Sequence, residues 1–405
     1  MAIASVLRMT GRKRSCICFL LIIGLLATIQ ATLVSTAKAE EPWKRHAIDN
    51  TLQGADGVKL GDFDGDGLQD VVTGWEESGV VRLYLNPGVT TATKPWPSVT
   101  VGIGKSPEDA LPFDVDGDGQ LDVISCHEGR LKQVLVHRFD GSSVSKQELL
   151  KQSNWKTSPL SILDGQQWMF ASTVLLRGGK SALVFGSKNS NATLTILFPP
   201  TQHSDQIEDW QPRTLRACGW IMSIQTMDMD DDSDNDIVFS DRTSKHRCVA
   251  WLEQPDENPE TASWTEHTIG ATGTDPLFID AAPDRVLVTT RQKKFFDFKK
   301  SGYDKWDATS HANPADVPFG KAIRLLTPDT IIFTANTHAD SANTKQPGMW
   351  LKQSGKDWQV VDPTNECKFD RMELIDLDGD GDLDVMTCEE RQSLGVVWYE
   401  NPGIK

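Results

Sequence analysis

Four stretches of this chain repeat one arrangement of carboxylates. The first runs Asp62-Phe63-Asp64-Gly65-Asp66-Gly67-Leu68-Gln69-Asp70, and the others span 114–122, 228–236 and 376–384. Each has aspartate at positions 1, 3, 5 and 9. These are Asp62, Asp64, Asp66 and Asp70; Asp114, Asp116, Asp118 and Asp122; Asp228, Asp230, Asp232 and Asp236; and Asp376, Asp378, Asp380 and Asp384. Alternating carboxylates on a tight turn, with a backbone carbonyl, supply the roughly six to eight hard oxygens that Ca²⁺ takes. Glycines at positions 4 and 6 let three of the turns fold around an ion. The third turn lacks both, and Asp231 or Asn235 is expected to take up the unusual backbone angle there. An EF-hand starts the same way but needs Glu at position 12 and a following helix. Here position 12 is Thr73, Ser125, Phe239 or Thr387, within β-branched runs. The expectation is Ca²⁺ in up to four turns.

Residues able to move protons are fewer. His127 next to Glu128 is the best acid–base pair, since a histidine titrating near neutrality beside a carboxylate suits a lyase acting on a sugar acid. The chain has only three tyrosines, Tyr84, Tyr303 and Tyr399, and the first and last read as core residues of outer strands. That leaves little for a Tyr/His lyase. There is no G-x-S-x-G, no H-E-x-x-H, no phosphate loop and no zinc-spaced Cys/His cluster.

The elements that must position these residues follow from a longer repeat. Tryptophan opens a strand-like segment at Trp43, Trp96, Trp155, Trp210, Trp264, Trp306 and Trp358, in steps of 42 to 59 residues. In four of the seven units the first aspartate of the acidic turn follows its tryptophan by 18 or 19 residues. Each turn is followed by an apolar run (Val71-Val72, Val123-Ile124, Ile237-Val238, Val385-Met386), and three units keep such a run without the turn. Four short strands in about 50 residues match a propeller blade. The sequence therefore predicts an all-β, seven-bladed β-propeller of four-stranded blades over residues 40–405. Residues 43–48 are expected to supply the outer strand of the seventh blade and so remove the open edge. A sandwich array or an open solenoid is the competing architecture.

The motifs D-F-D-G-D-G-L-Q-D-V-V, D-V-D-G-D-G-Q-L-D-V-I and D-L-D-G-D-G-D-L-D-V-M resemble the FG-GAP/VCBS repeat family, the calcium-binding propeller repeats also found in integrin α-subunits. The resemblance extends over 43–403, although the third, fifth and sixth units lack the motif. It implies calcium in the turns of the first, second, fourth and seventh blades. The family is similar in fold but varied in function, with adhesion modules, lectin-like proteins and some polysaccharide lyases. In propellers of this kind the calcium turns lie on one face, and the strand after each turn leads to the other. Five residues past each turn's last aspartate, or its counterpart, stand Trp75, His127, Ser187, Asp241, Arg291, Ala335 and Glu389. Six past it stand Glu76, Glu128, Lys188, Arg242, Gln292, Asn336 and Glu390. Loops leading into the next strand would add Asp56, Glu108, Asp109, Trp168, Trp220, Asp275, Lys321, Asp370 and Arg371. The expected ligand-binding set is Trp75, Glu76, His127, Glu128, Asp241, Arg242, Arg291 and Glu389. Aromatic faces and charged groups together suit a carbohydrate.

Bulk properties narrow the partners. Residues 1–39 read as a signal peptide, with basic Arg8 and Arg12 to Arg14, an apolar run from Phe19 and a terminal Ala37-Lys38-Ala39. Five of the 41 Lys and Arg lie in it, so the mature chain keeps 36 against 57 Asp and Glu, a charge of −21. So acidic a surface repels a phosphate backbone, which argues against nucleic acid. No later stretch is apolar enough to span a bilayer. In an oxidising compartment Cys367–Cys388 and Cys218–Cys248 would be the disulfide candidates, leaving Cys126 odd. The expected function is a secreted, periplasmic or extracellular, binding module for carbohydrate or an extracellular protein. The alternative is a polysaccharide lyase using His127 and Glu128. No attaching segment follows Gly403, which counts against an integrin-type adhesion module.

Overall fold

The computed structural model describes residues 41–200, 206–314, 317–337 and 345–404. The expected signal segment at 1–39 lies outside the described residues. Short β-branched and aromatic runs, broken by Gly, Pro and Asp turns, are too brief for helices and pair instead into seven antiparallel four-stranded sheets. The first blade consists, from the channel outward, of Ala55–Gly61, Asp70–Trp75, Val80–Tyr84 and Ser98–Ile103. Blades two to six repeat this over 107–159, 167–217, 221–270, 276–312 and 320–362. The first strand of each blade touches the first strand of the next, and that of blade seven touches that of blade one. The sheets thus form a closed seven-bladed β-propeller.

Closure uses both ends of the propeller segment. Blade seven comprises Phe369–Ile375, Asp384–Glu389 and Gly395–Glu400, with Lys44–Asp49 as its outermost strand. The register sets Lys44 opposite Glu400 and His46 opposite Trp398, and the His46 ring stacks on the Trp398 indole at 4.3 Å. This is the arrangement the tryptophan repeat predicts. The second strands Asp70–Trp75, Asp122–His127, Asp236–Asp241 and Asp384–Glu389 are buried along their whole length, because neighbouring blades cover both sheet faces. That is why they read as continuous apolar runs and not as alternating ones.

Polar latches complete the closure. Asp49, at the end of the closing strand, accepts hydrogen bonds from Arg82 (2.6 Å) and the Tyr84 hydroxyl (2.9 Å) of blade one. Asp362, ending the outermost strand of blade six, accepts from Arg45 (2.8 Å) and the Tyr399 hydroxyl (2.6 Å) of blade seven. Tyr84 and Tyr399 are fully buried, so losing the acceptor strands a hydroxyl away from water. Asp49→Ala is expected to destabilise the propeller by about 2–3 kcal/mol in urea melts. A change below about 0.5 kcal/mol would remove the latch from the account of closure.

Candidate functional site

The acidic turns join the innermost and second strands of blades one, two, four and seven. Position 1 organises each turn. Asp62 accepts from the Gly65 and Gly67 amides (2.8 and 3.0 Å), Asp114 from Gly117 and Gly119, and Asp376 from Gly379 and Gly381. Those glycines have left-handed φ between 71° and 87°. In the third turn Asp231 (φ 69°) and Ser233 (φ 75°) adopt the same angles and donate to Asp228. The unusual backbone therefore falls on Ser233 as well as Asp231, and not on Asn235, because positions 4 and 6 must aim their amides at position 1.

Position 9 has a second task. Both oxygens of Asp70 accept backbone amides, from Phe63 at 2.9 Å and Asn86 at 2.7 Å. Asp122, Asp236 and Asp384 repeat this with Val115 and Phe139, Met229 and Gln254, and Leu377 and Asn401. Each clamp ties the turn to the end of the blade's third strand. Burial pushes the carboxyls of Asp70, Asp122 and Asp236 up to about 7. A nearby cation offsets such a penalty.

The donor set fits a hard cation. Oxygens of Asp62, Asp64 and Asp66 lie within 4.8 Å of one another, as do those of Asp114, Asp116 and Asp122 and of Asp228, Asp230 and Asp236. Asp116 Oδ1 and Asp230 Oδ1 are buried and accept no hydrogen bond. The turns differ in their surroundings. Lys146 Nζ reaches over from blade two to Asp64 (3.3 Å) and Asp66 (2.8 Å) of the first turn. Arg177 of blade three contacts Asp232 and Asp234 (2.9 Å) of the third.

The opposite ends of the same strands converge on the channel mouth. The residues six past each turn gather there, whereas most of those five past it do not. Trp75 is fully buried and donates to Tyr84 at 2.8 Å. Asp241 is buried against Arg216 (2.6 Å), and Glu389 accepts amides of Lys368, Arg391 and Gln392. His127 is sealed inside blade two. One ring nitrogen is 2.7 Å from Ser125 Oγ, which also meets His137 at 2.8 Å, and the other is 2.8 Å from the Lys105 carbonyl. Burial lowers His127 to about 4, so it is neutral and walled off near pH 7. The expectation that Trp75, His127, Asp241 and Glu389 meet a ligand is thereby corrected. The pleat sends consecutive residues to opposite sides, and the last strand residue points into the blade. Trp168 is buried too. The five described cysteines form no disulfide, and the sulfurs of Cys218 and Cys248 both accept from the Arg216 guanidinium (3.5 and 3.8 Å).

What does gather is electrically two-sided. Blades seven, one and two contribute Glu390, Asp56, Glu76, Glu108 and Glu128. Oxygens of Asp56, Glu76 and Glu390, and again of Glu76, Glu108 and Glu128, lie within 4.8 Å of one another. Lys188 pairs with Glu128, Lys368 with Glu390 and more distantly with Asp56 (3.8 Å), and Lys321 with Asp370 (2.5 Å). Burial, with mutual repulsion, holds the Asp56 and Glu108 carboxyls well above the usual range. Blades four and five present Arg242, 4.3 Å over the Trp220 ring, and Arg291, 4.9 Å over Phe319. Burial and the Arg291 charge lower Arg242 to about 10, and its Nε is buried without a hydrogen bond. Lys188 lies 4.6 Å from the same Trp220 ring, so cations lie against this indole. Lys368 carries no motif; its only sequence signal is its place just before the innermost strand.

A family profile described as an FG-GAP-like repeat matches residues 62–125. This stretch is an FG-GAP-like repeat. It runs from the first acidic turn through the second and into the strand beyond, so the recognised unit includes both turns. No curated protein sequence matches the chain. Among solved structures, BBS1N in complex with ARL6DN aligns over 90% of this chain and 98% of its own, with a TM-score of 0.55 at 9% identity. YCF48 bound to D1 peptide aligns over 91% and 100%, with a TM-score of 0.53 at 12% identity. At these identities the likeness is one of fold.

The burial of His127 has a measurable consequence. Its folded value of about 4 lies below the ordinary value of 6.5, so between those pH values the unfolded chain takes up a proton that the folded one refuses. The histidine contributes nothing above that window and costs up to about 1.4 kcal/mol per pH unit as pH falls through it. The raised carboxyls oppose this trend but are common to both proteins in a comparison. His127→Gln is expected to flatten the loss of stability from pH 6.5 to 4 relative to wild type in denaturant melts. Parallel curves would show that the ring titrates in the fold as it does in the unfolded chain.

Proposed function

We propose that this FG-GAP-like propeller is a secreted, calcium-stabilised binding module whose channel mouth receives a carboxylate-bearing ligand, an acidic segment of an extracellular protein. The observation that carries the reading is the arginine pair. In a chain of strongly negative charge, Arg242 and Arg291 are half-buried at the mouth with no carboxylate within ion-pair distance among the described residues. Arg242 lies over Trp220 and Arg291 over Phe319, and the one hydrogen bond either guanidinium makes among the described residues is a weak one from Arg242 Nη1 to the Met222 sulfur (3.9 Å), which leaves N–H groups for a planar acceptor. A protein ligand is favoured over a sugar because Trp75 and Trp168 are buried and Trp220 is faced by cations, which leaves no open ring for a pyranose. Two solved structures of similar fold are complexes, one with a protein and one with a peptide, which agrees with this use of the fold. A lyase is disfavoured, since its histidine would be the sealed His127.

Fluorescence anisotropy with Asp/Glu-rich peptides and with polyuronates tests the reading. Peptide binding is expected to weaken about tenfold or more in Arg242→Ala/Arg291→Ala. Binding indifferent to both arginines, or release of unsaturated products from a polyuronate, would overturn it.

Calcium in the turns is a separate part of the proposal, supported by the orphaned Asp116 and Asp230 oxygens. Chelation is expected to lower the melting temperature. The loss would be about 2.7 kcal/mol for each site that had been a hundredfold saturated. An unchanged melt after chelation would count against the ion.

A further inference from the structure

Blades five and six lack the acidic turn, and they also lack what the turn holds in place. In blades one, two and four the position-9 aspartate fastens the end of the third strand, at Asn86, Phe139 and Gln254. The connection to the fourth strand then runs over 85–97, 140–154 and 254–264, and the tryptophan at its end donates back into it. Trp96 reaches the Ala92 carbonyl (3.0 Å), Trp155 that of Leu149 (2.8 Å) and Trp264 that of Pro259 (3.0 Å), and all three are buried. In blade five the same connection is only 303–304, and in blade six only 354–357. Trp358 therefore has no loop above it. It is half-buried, and its indole N–H has no acceptor among the described residues.

The missing loops leave a cavity of about 470 Å³ between the two blades, within the roughly 300–1,000 Å³ of small-molecule sites. One wall is a sheet face of blade five. Phe295, Asp297 and Lys299 alternate along its third strand, and His311, opposite Phe295 in register, lies flat on that ring at 4.9 Å. The facing wall is the cross-strand row Ile331, Lys352 and Trp358 of blade six. Arg285 holds both oxygens of Asp297 (3.0 and 2.8 Å), so that pair is neutral and fixed. Lys352 donates to the Lys356 carbonyl and lies 5.9 Å from the Trp358 ring. The Lys299 ammonium, the His311 ring nitrogens and the Asp329 carboxylate are exposed, with no hydrogen bond or ion pair among the described residues.

Unused donors and acceptors thus stand side by side over aromatic rings. A hydroxyl both donates and accepts, so such a wall suits a sugar better than a simple ion, and the rings suit the apolar side of a pyranose. Two ammonium groups, Lys299 and Lys352, against the one uncommitted carboxylate of Asp329 favour a sugar that is itself an acid. We propose that the cleft between blades five and six binds an acidic saccharide of the hexuronate type, its ring against His311 and Trp358 and its carboxylate at Lys299. The inference goes beyond the arginine reading and uses none of its residues.

Isothermal titration calorimetry of the purified protein with trigalacturonate and with its methyl ester tests it. Wild type is expected to bind the acid at about 0.1–1 mM and the ester at least about fivefold more weakly. Lys299→Ala and His311→Ala change exposed side chains and leave the core intact. Each should weaken binding of the acid about fivefold or more, and Lys299→Ala should also abolish the difference between acid and ester. No binding at about 10 mM, equal binding of acid and ester by wild type, or unchanged affinity in either variant would overturn the proposal. Arg242→Ala/Arg291→Ala should bind the trisaccharide as wild type does. Loss of the sugar in that variant would place it at the mouth and overturn the cleft, whereas loss of the acidic peptide alone bears only on the arginine reading.

Discussion

Seven sheets can close into a ring only if their innermost strands run side by side down one channel, and that requirement governs the rest of the molecule. It brings seven strand beginnings and seven second-strand endings to a single mouth. Any charge that the sequence carries there is pressed together and partly stripped of water. Carboxylates far apart in sequence, such as Asp56 and Glu390, come within 4.8 Å. The same geometry buries both faces of each blade. Second strands must then be apolar throughout, and polar groups within blades must find internal partners, as His127, Ser125 and His137 do.

The acidic turns answer the same requirement at the other end. Each innermost strand must reverse tightly into its neighbour, and an aspartate that gathers two amides makes the reversal without a helix or a long loop. The position-9 aspartate then fastens the turn to the third strand. These carboxylates would be needed for the backbone even in a turn without metal. The third turn illustrates the priority: it tolerates left-handed Asp231 and Ser233, at about 1 kcal/mol or more each, and keeps the amide geometry.

Much of this was legible in the sequence. The tryptophan spacing carried blade number and closure, because an indole must recur wherever an outermost strand begins. The acidic turns were legible because their ligands are local, within nine residues. The mouth was only half legible. Counting six residues past each turn reached Glu76, Glu128, Arg242 and Glu390, but counting five reached side chains that the pleat turns inward. The pairing of charges was not readable at all. Whether Lys188 serves Glu128 or Glu108, and why Lys368 matters, depends on inter-blade distances that no spacing along the chain encodes. The cysteines likewise could not be assigned from spacing: Cys218 and Cys248 both meet the Arg216 guanidinium, a partner that nothing along the chain announces.

The closing strand sets a timetable. Lys44 and Glu400 hydrogen-bond across 356 residues of chain. At translation rates of about 5–20 residues per second, the first strand waits on the order of half a minute for its partner to exist. Until then six blades can assemble but the ring stays open. Lys44–Asp49 meanwhile lacks the strand it pairs with, Gly395–Glu400. The basic start Lys44-Arg45-His46 of that waiting strand is then a safeguard, since charge on an idle edge discourages pairing with the wrong chain.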